Sequence, residues 1–289
     1  MQDSKVIFVT GATGNQGGAA ARELLKNNFK VRALTRDPSN PKAEHLKKAG
    51  AEIVTGNLND SATYKHHLNN VHGVFGVQTF ENGVDKEIVQ GIALADSAKE
   101  MNIDHFLYSS VFGADMNSGI PHWESKLKIE DHIKAIGLNY TIIRPTSLLE
   151  NFLIPEVKKR ILKGKLGSPL KKNIRQVYIA AEDIGRISAA IFSDPAKYIN
   201  KTIAVGFRTM DLEQAAKVFT SILKREVANS KLPMIITRLI MGKNLYKMFK
   251  WVNENSESLV NEIKLSKNEF PETQTLEQWT ALNFSHTEL

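Results

Sequence analysis

The stretch "VTGATGNQGGAAARELL", residues 9–25, limits the possible folds more than any other part of the chain. It continues the apolar, β-branched run "KVIFVT" and leads into a small-residue segment whose apolar positions recur at helical spacing. Gly11, Gly14 and Gly17 stand three apart across that junction. A strand-to-helix turn that receives a pyrophosphate needs small residues for three reasons: a tight turn, close approach of backbone N–H groups to phosphate, and close packing of helix on sheet. The three glycines can fill those roles. Their spacing is GxxGxxG rather than GxGxxG, so the triad points to a nucleotide only together with its surroundings.

Those surroundings have the required rhythm. The short apolar runs "KVRALTR", "AEIVTG", "GVFGVQ", "HFLYSS" and "YTIIRP" alternate with "PKAEHLKKAG", "SATYKHHLNN", "DKEIVQGIALADSAKEMN" and "HWESKLKIEDHIKAIG", whose apolar positions three and four apart predict helices. Strand and helix in this alternation predict an α/β fold, a Rossmann-type doubly wound parallel sheet covered on both faces. Residues 1–150 are expected to form this nucleotide domain. After Arg144-Pro145 the rhythm turns irregular, and residues 151–289 are expected to build mainly a smaller α/β lobe for substrate or partner, with some segments returning to the sheet. In that half, "NFLIPEVKKRILKGKLGSPLKKN" reads as a helix and a Gly/Pro-broken loop, and Asp211 reads as a helix N-cap. The Met- and aromatic-bearing "LPMIITRLIMGKNLYKMFKWVNENS" is expected to pack into a core or pocket wall rather than form a partner surface.

Composition removes several function classes. The net charge of +7 raises the question of nucleic acid, but Lys and Arg are scattered, without a compact basic block interleaved with aromatics. Direct nucleic-acid binding is therefore not expected, and a basic surface also suits a phosphate-rich cofactor. Zero cysteines exclude disulfides, thiolate catalysis and Cys-ligated metals. His66 and His67 lack metal-ligand spacing, so no metal site is expected. A strand begins almost at the N-terminus and no apolar run reaches the roughly 18 residues of a membrane span. The expectation is a cytoplasmic monomer or homodimer with no membrane partner.

The second strand bears on the cofactor. An acidic residue at its end would bond a ribose 2′-OH, whereas an Arg there accommodates a 2′-phosphate. "VRALTRDP" puts Arg36 at that end, which favours NADP(H) over NAD(H), with Asp37 keeping the latter open.

Taken together, "VTGATGNQGG", "VRALTRDP", "GAEIVTGNLND", "FLYSSV", "SKLKIEDHIKAIGLNYTIIRPTSLLENFL", "AAEDIG" and "NKTIAVGFRTMDLEQAAKVFTSIL" resemble the NmrA-like family of atypical short-chain dehydrogenase/reductases. The resemblance covers nearly the whole chain. It is greatest to NADPH-sensing redox sensor proteins of that family, with NADPH-dependent quinone reductases and isoflavone-reductase-like enzymes more distant. It implies a pyrophosphate held along Gly11, Ala12, Thr13, Gly14, Asn15, Gln16 and Gly17, and Arg36 facing the 2′-phosphate. Asn57 and Leu58 would meet adenine, with Asn57 standing where the family often has Asp. Gln78, Thr79 and Phe80 would run past the nicotinamide ribose. Leu148, Leu149, Glu150 and Asn151 would pass the nicotinamide, and Lys126 matches the family's lysine.

Active dehydrogenases of this superfamily commonly use a Ser with Tyr-x-x-x-Lys, the Lys lowering the pKa of a phenol that acts as general acid/base. In "HWESK" the tyrosine position holds His122. Three readings stay open. His122 or Lys126 replaces the phenol as proton donor; Lys126 only holds the nicotinamide ribose and nothing is reduced; or a quinone takes its proton from water. By itself His122 reads as an exposed loop or helix-start histidine beside Pro121. Ser109 and Ser110 close a strand end that faces the ligand in such sheets, so either could bond the cofactor or merely cap the strand. Tyr108 is expected to pack between sheet and helix. The expected function is an NADPH-dependent oxidoreductase acting on a quinone or similar small acceptor. Its alternative is a catalytically silent NADP(H) sensor that regulates a protein partner, and a transcriptional co-regulator is a third class.

Overall fold

In a computed structural model, which describes residues 5–262, 269–270 and 274–285, the alternating half of the chain becomes a regular series. It runs β1 (Val6–Val9), α1 (Asn15–Lys26), β2 (Lys30–Thr35), α2 (Pro41–Lys48), β3 (Glu52–Thr55), β4 (Gly73–Gly76), α3 (Val84–Glu100), β5 (His105–Ser109), α4 (Pro121–Ala135) and β6 (Tyr140–Pro145). There follow β7 (Ser147–Leu148), α5 (Pro155–Leu162), β8 (Lys165–Ser168), β9 (Gln176–Ile179), α6 (Ala181–Ser193), α7 (Pro195–Tyr198) and β10 (Lys201–Val205). The chain continues with β11 (Arg208–Met210), α8 (Leu212–Leu223), β12 (Ala228–Lys231), α9 (Met234–Glu262) and α10 (Leu276–Phe284). Residues 1–4, where the sequence reading starts, lie outside the described residues.

Seven strands form one sheet in the order β10-β6-β5-β4-β1-β2-β3, and each neighbouring pair from β6 to β3 is parallel. This is the Rossmann-type doubly wound α/β architecture. The strand order reverses between β1 and β4, and open α/β sheets bind ligands at the carboxyl edge of such a switch point. The central strands read as continuous apolar runs because both faces are covered. On one face Phe8, Val74, Phe106 and Tyr108 pack under Leu94 and Ala98 of α3 and Ile129 and Ile133 of α4. Helices α1 and α6 pack directly on one another: a Cβ on Gly185 would lie 2.5 Å from the Ala19 carbonyl oxygen, so only glycine permits that approach.

The chain divides into two units. One takes the chain up to Asn117, Pro121–Pro145 and Ala181–Ile203; the other takes Ser118–Ile120, Thr146–Ala180 and the chain from Ala204 onward. In the second unit β11, β9 and β7 form a three-stranded sheet, β12 pairs with β8, and Phe152, Tyr178, Phe219, Trp279 and Phe284 make an aromatic core. Asp211 caps α8 as expected, in a reciprocal capping box with Gln214.

Three expectations fail here. "SATYKHHLNN" is not an α-helix but two 3-10 turns, Ser61–Thr63 and Lys65–Leu68. The Thr63 hydroxyl bonds back to the carbonyls of Asn57 and Asp60, and such local bonds compete with a helix. The supposed loop after α5 contains β8, whose parallel partner β12 lies so far along the chain that no local pattern marks it. Finally, the tail was expected to pack into a core or pocket wall, but its opening turns do not: Ile235, Leu239 and Ile240 are 71%, 80% and 74% exposed, whereas Val252 further along is buried. The helical ladder breaks at Gly242, with φ 79°, so the turns before and after it do not share one buried face.

Candidate functional site

Strand β1 ends at Val9, and Thr10 fastens that end to β4: its hydroxyl donates to the Val77 carbonyl at 3.2 Å and accepts from the Val77 amide at 2.9 Å. The chain then turns sharply, with Gly11 at φ 59° and the Gly14 amide bonded to the Gly11 carbonyl at 2.8 Å. A Cβ on Gly17 would lie 2.4 Å from both the Thr10 and Gly11 carbonyl oxygens, so the helix can seat on the strand end only with glycine there. Helix α1 starts at Asn15 with Gly14 as its N-cap; no side chain caps it and no acidic residue sits in its first turn. Gly11, Gly14 and Asn15 are exposed, Thr13 and Gln16 half-buried, and Ala12 buried beneath them. Uncapped N–H groups at the positive end of a helix, bounded by glycine, fit an anionic pyrophosphate.

At the end of β2, Arg36 is exposed, and no hydrogen bond or ion pair holds it among the described residues. Asp37 is occupied differently. Its carboxylate accepts from the Ser39 amide at 2.9 Å and the Ser39 hydroxyl at 2.6 Å, and these bonds hold its pKa below the usual carboxylate value. At the end of β3, Asn57 and Leu58 are half-buried. The Asn57 side-chain oxygen accepts from the Asn59 amide at 3.1 Å, which fixes the turn.

The ends of β4 and β5 are joined through α4. Lys126 is only 7% exposed; its ammonium donates to the Gln78 carbonyl at 2.9 Å and reaches the Ser109 carbonyl at 3.5 Å. It also lies 3.1 Å from the carboxylate of fully buried Glu87, on α3. Burial pushes the Lys126 pKa down, and the Glu87 charge opposes that shift. Ser109 donates to the Gln16 side-chain oxygen at 2.6 Å, linking the end of β5 to the glycine turn, while Ser110 donates to Glu130. Glu130 is fully buried and takes a two-pronged bond from Arg144, at 2.9 and 2.7 Å. Gln78 is 7% exposed, and neither its amide oxygen nor its nitrogen has a hydrogen-bond partner. Thr79 is exposed and caps the 3-10 turn Phe80–Asn82.

His122 departs from the sequence reading. It does stand in the first turn of α4, but it is 7% exposed rather than a surface residue, because Phe80 stacks on its ring with centroids 4.4 Å apart. Tyr108 packs between sheet and helices as expected, its ring 5.3 Å from the Lys126 ammonium. Its hydroxyl is buried and unpartnered; burial pushes its pKa well above the usual range, and Glu87 and Glu130 push the same way. This phenol is on the strand, not on α4, and cannot stand in for the missing tyrosine.

The glycine turn, Arg36, Asn57, Leu58, Gln78, Thr79, Phe80, Ser109, His122 and Lys126 thus share the carboxyl edge of one sheet, within one unit. Leu148, Leu149, Glu150 and Asn151 belong to the second unit. There Leu149 and Glu150 are buried, and Glu150 accepts from the Trp279 indole at 3.1 Å. Sequence reasoning passed over Glu87 and Glu130. The available signal was their place on apolar stripes: Glu87 shares one with Gly91, Leu94 and Ala98, and Glu130 shares another with Trp123, Ile129 and Ile133.

The family model described as the NmrA-like family matches residues 3–280. An NmrA-like family domain-containing oxidoreductase of Malbranchea aurantiaca is 30% identical over 249 residues, which is 75% of this chain and 73% of that protein. Among solved structures, NmrA, a negative transcriptional regulator in complex with NADP, aligns with a TM-score of 0.75 at 21% identity, over 97% of this chain and 95% of its own. An NADPH-dependent quinone oxidoreductase of Escherichia coli complexed with NADPH aligns with 0.78 at 19% identity, over 96% and 99%. At such identities these two establish a shared fold.

Proposed function

The chain belongs to the NmrA-like family, and from that premise we propose that it binds NADP(H) and reduces a quinone or similar small acceptor. The observation that carries the reading is the uncapped, glycine-bounded amino end of α1, on the same sheet edge as exposed Arg36. The first-turn amides would hold the pyrophosphate and Arg36 the 2′-phosphate, while the Asp37 carboxylate is turned into its own loop. Gln78, with a buried amide that lacks partners, would offer both a donor and an acceptor to the cofactor's ribose or amide. Lys126 is a positioning residue in this scheme. Its contacts hold the ends of β4 and β5, which carry Gln78 and Ser109.

When bound, NADPH supplies a hydride. A quinone that accepts this hydride and one proton becomes a hydroquinone, and water can provide the proton. That acceptor class suits a site in which the Tyr108 phenol is buried, the Lys126 ammonium is engaged and His122 is stacked on Phe80. The relatives named above as an oxidoreductase and a quinone oxidoreductase support the same reading. The missing tyrosine equally favours a second reading, a silent NADP(H) sensor acting on a protein partner. NADPH is titrated first, and its absorbance is then followed with a panel of quinones. Turnover that survives His122→Gln supports water as the proton source. Tight binding without oxidation by any acceptor supports the sensor, and failure to bind NADPH or NADP⁺ overturns both.

A further inference from the structure

The opening turns of α9 present an apolar face with no partner among the described residues. Ile235, Ile236, Leu239 and Ile240 are all exposed, three of them by more than 70%, while Thr237 on the opposite side is 1% exposed. At about 100° per residue the four side chains fall within an arc of roughly 140°. Single exposed aliphatics are ordinary, but a contiguous group of this kind marks a contact surface. The charges nearest to it along the chain have one sign. From Val227 to Asn253 the chain carries Lys231, Arg238, Lys243, Lys247 and Lys250 and no Asp or Glu. All five cations are exposed.

This combination selects among occupants. A second copy of the chain in a two-fold contact would bring two sets of five cations together, which is repulsive. Protein interfaces are centred on aromatics and Arg, whereas this face is Ile and Leu, and four of the five cations that flank it in sequence are Lys. An anionic lipid surface meets both halves at once: aliphatic side chains enter the headgroup–acyl boundary and the cations meet the headgroups. Among the described residues no helix is long and apolar enough to cross a membrane, so the contact would be at the surface. We propose that the amino-terminal turns of α9 dock this protein on an anionic membrane surface, through Ile235, Ile236, Leu239 and Ile240, with the exposed cations Arg238 and Lys243 close to them in sequence. This replaces the expectation that the chain has no membrane partner, and it does not depend on the proposed reaction.

The test floats the full chain with vesicles of phosphatidylcholine alone and of phosphatidylcholine with about one-third phosphatidylserine. The expected result is flotation with the anionic vesicles only, weakened by salt. Lys243→Gln and Lys247→Gln should each lower the partition coefficient about fivefold. A Leu239→Asp/Ile240→Asp variant should stay with the soluble fraction while keeping the wild-type circular dichroism, since both positions are exposed. The proposal is overturned if wild type ignores anionic vesicles, if it binds neutral ones equally, or if the double variant still floats. It is also overturned by a lipid-free dimer that the double variant dissolves, which assigns the face to a second copy, or by retention on polyglutamate without vesicle binding, which assigns it to an acidic protein.

Discussion

The Lys126 ammonium and the Glu87 carboxylate lie 3.1 Å apart, and both are buried beneath the sheet edge that carries the glycine turn. Removing one member leaves the other's charge uncompensated in a dry place, whereas removing both leaves no buried charge and costs the ammonium's bonds to the Gln78 and Ser109 carbonyls. Glu87→Gln is therefore expected to lower unfolding free energy by about 3 kcal/mol. The double variant Glu87→Gln/Lys126→Met should recover part of that loss, since methionine cannot replace the bonds to the Gln78 and Ser109 carbonyls. Urea denaturation of wild type, both single variants and the double variant forms the cycle. Strictly additive losses would show that the two groups do not stabilise one another.

Arg36 is held by nothing among the described residues, while Asp37 is bound into its own turn by Ser39. A guanidinium that bonds a phosphate contributes enough that Arg36→Ala should weaken NADPH binding roughly 10- to 100-fold. NADH lacks that phosphate, and its affinity should change little. Fluorescence titration of both cofactors against wild type and variant measures the ratio; an equal loss for the two nucleotides removes the assignment.

What could be read in advance follows from how local its cause is. The strands β1 to β6 and the glycine turn are set by neighbours in sequence, so periodicity and residue size reveal them. Long-range causes left no such trace. Glu87 is tolerable inside the protein because Lys126, on another helix, meets it. His122 is buried because Phe80 lies on its ring, and β8 is a strand because of β12. The outward face of α9 depends on a break at Gly242, a single residue that the apolar pattern on either side hides.

Gly17 offers a steric test of the turn. A methyl group there would meet two backbone oxygens at 2.4 Å, and neither can swing aside as a side chain could. Gly17→Ala must then lift α1 from the end of β1, which also moves the first-turn amides. The expected result is a loss of about 2 kcal/mol or more in stability together with loss of NADP(H) binding. Calorimetric titration and thermal unfolding measure the two effects, and unchanged cofactor affinity would show that these amides do not receive the pyrophosphate.

His105 gives the fold a pH dependence unrelated to the site. The Thr141 hydroxyl donates to the Tyr198 carbonyl at 2.8 Å, so it must accept from the Nε2–H of His105, also at 2.8 Å. That bond leaves Nδ1 as the unprotonated nitrogen, buried and without a partner. Burial, helped by the charge of Lys5, pushes the His105 pKa down to about 4, against an ordinary value of about 6.5 in the unfolded chain. The unfolded state then binds more protons between those two values. The stabilisation is fully present above about pH 6.5 and is lost as pH falls toward about 4. Between about pH 7.5 and about pH 5, wild type should lose roughly 2 kcal/mol more unfolding free energy than His105→Gln, whose amide can keep the bond to Thr141 without titrating. Urea denaturation at the two pH values measures that difference, and parallel profiles for the two proteins would show that His105 titrates normally in the fold.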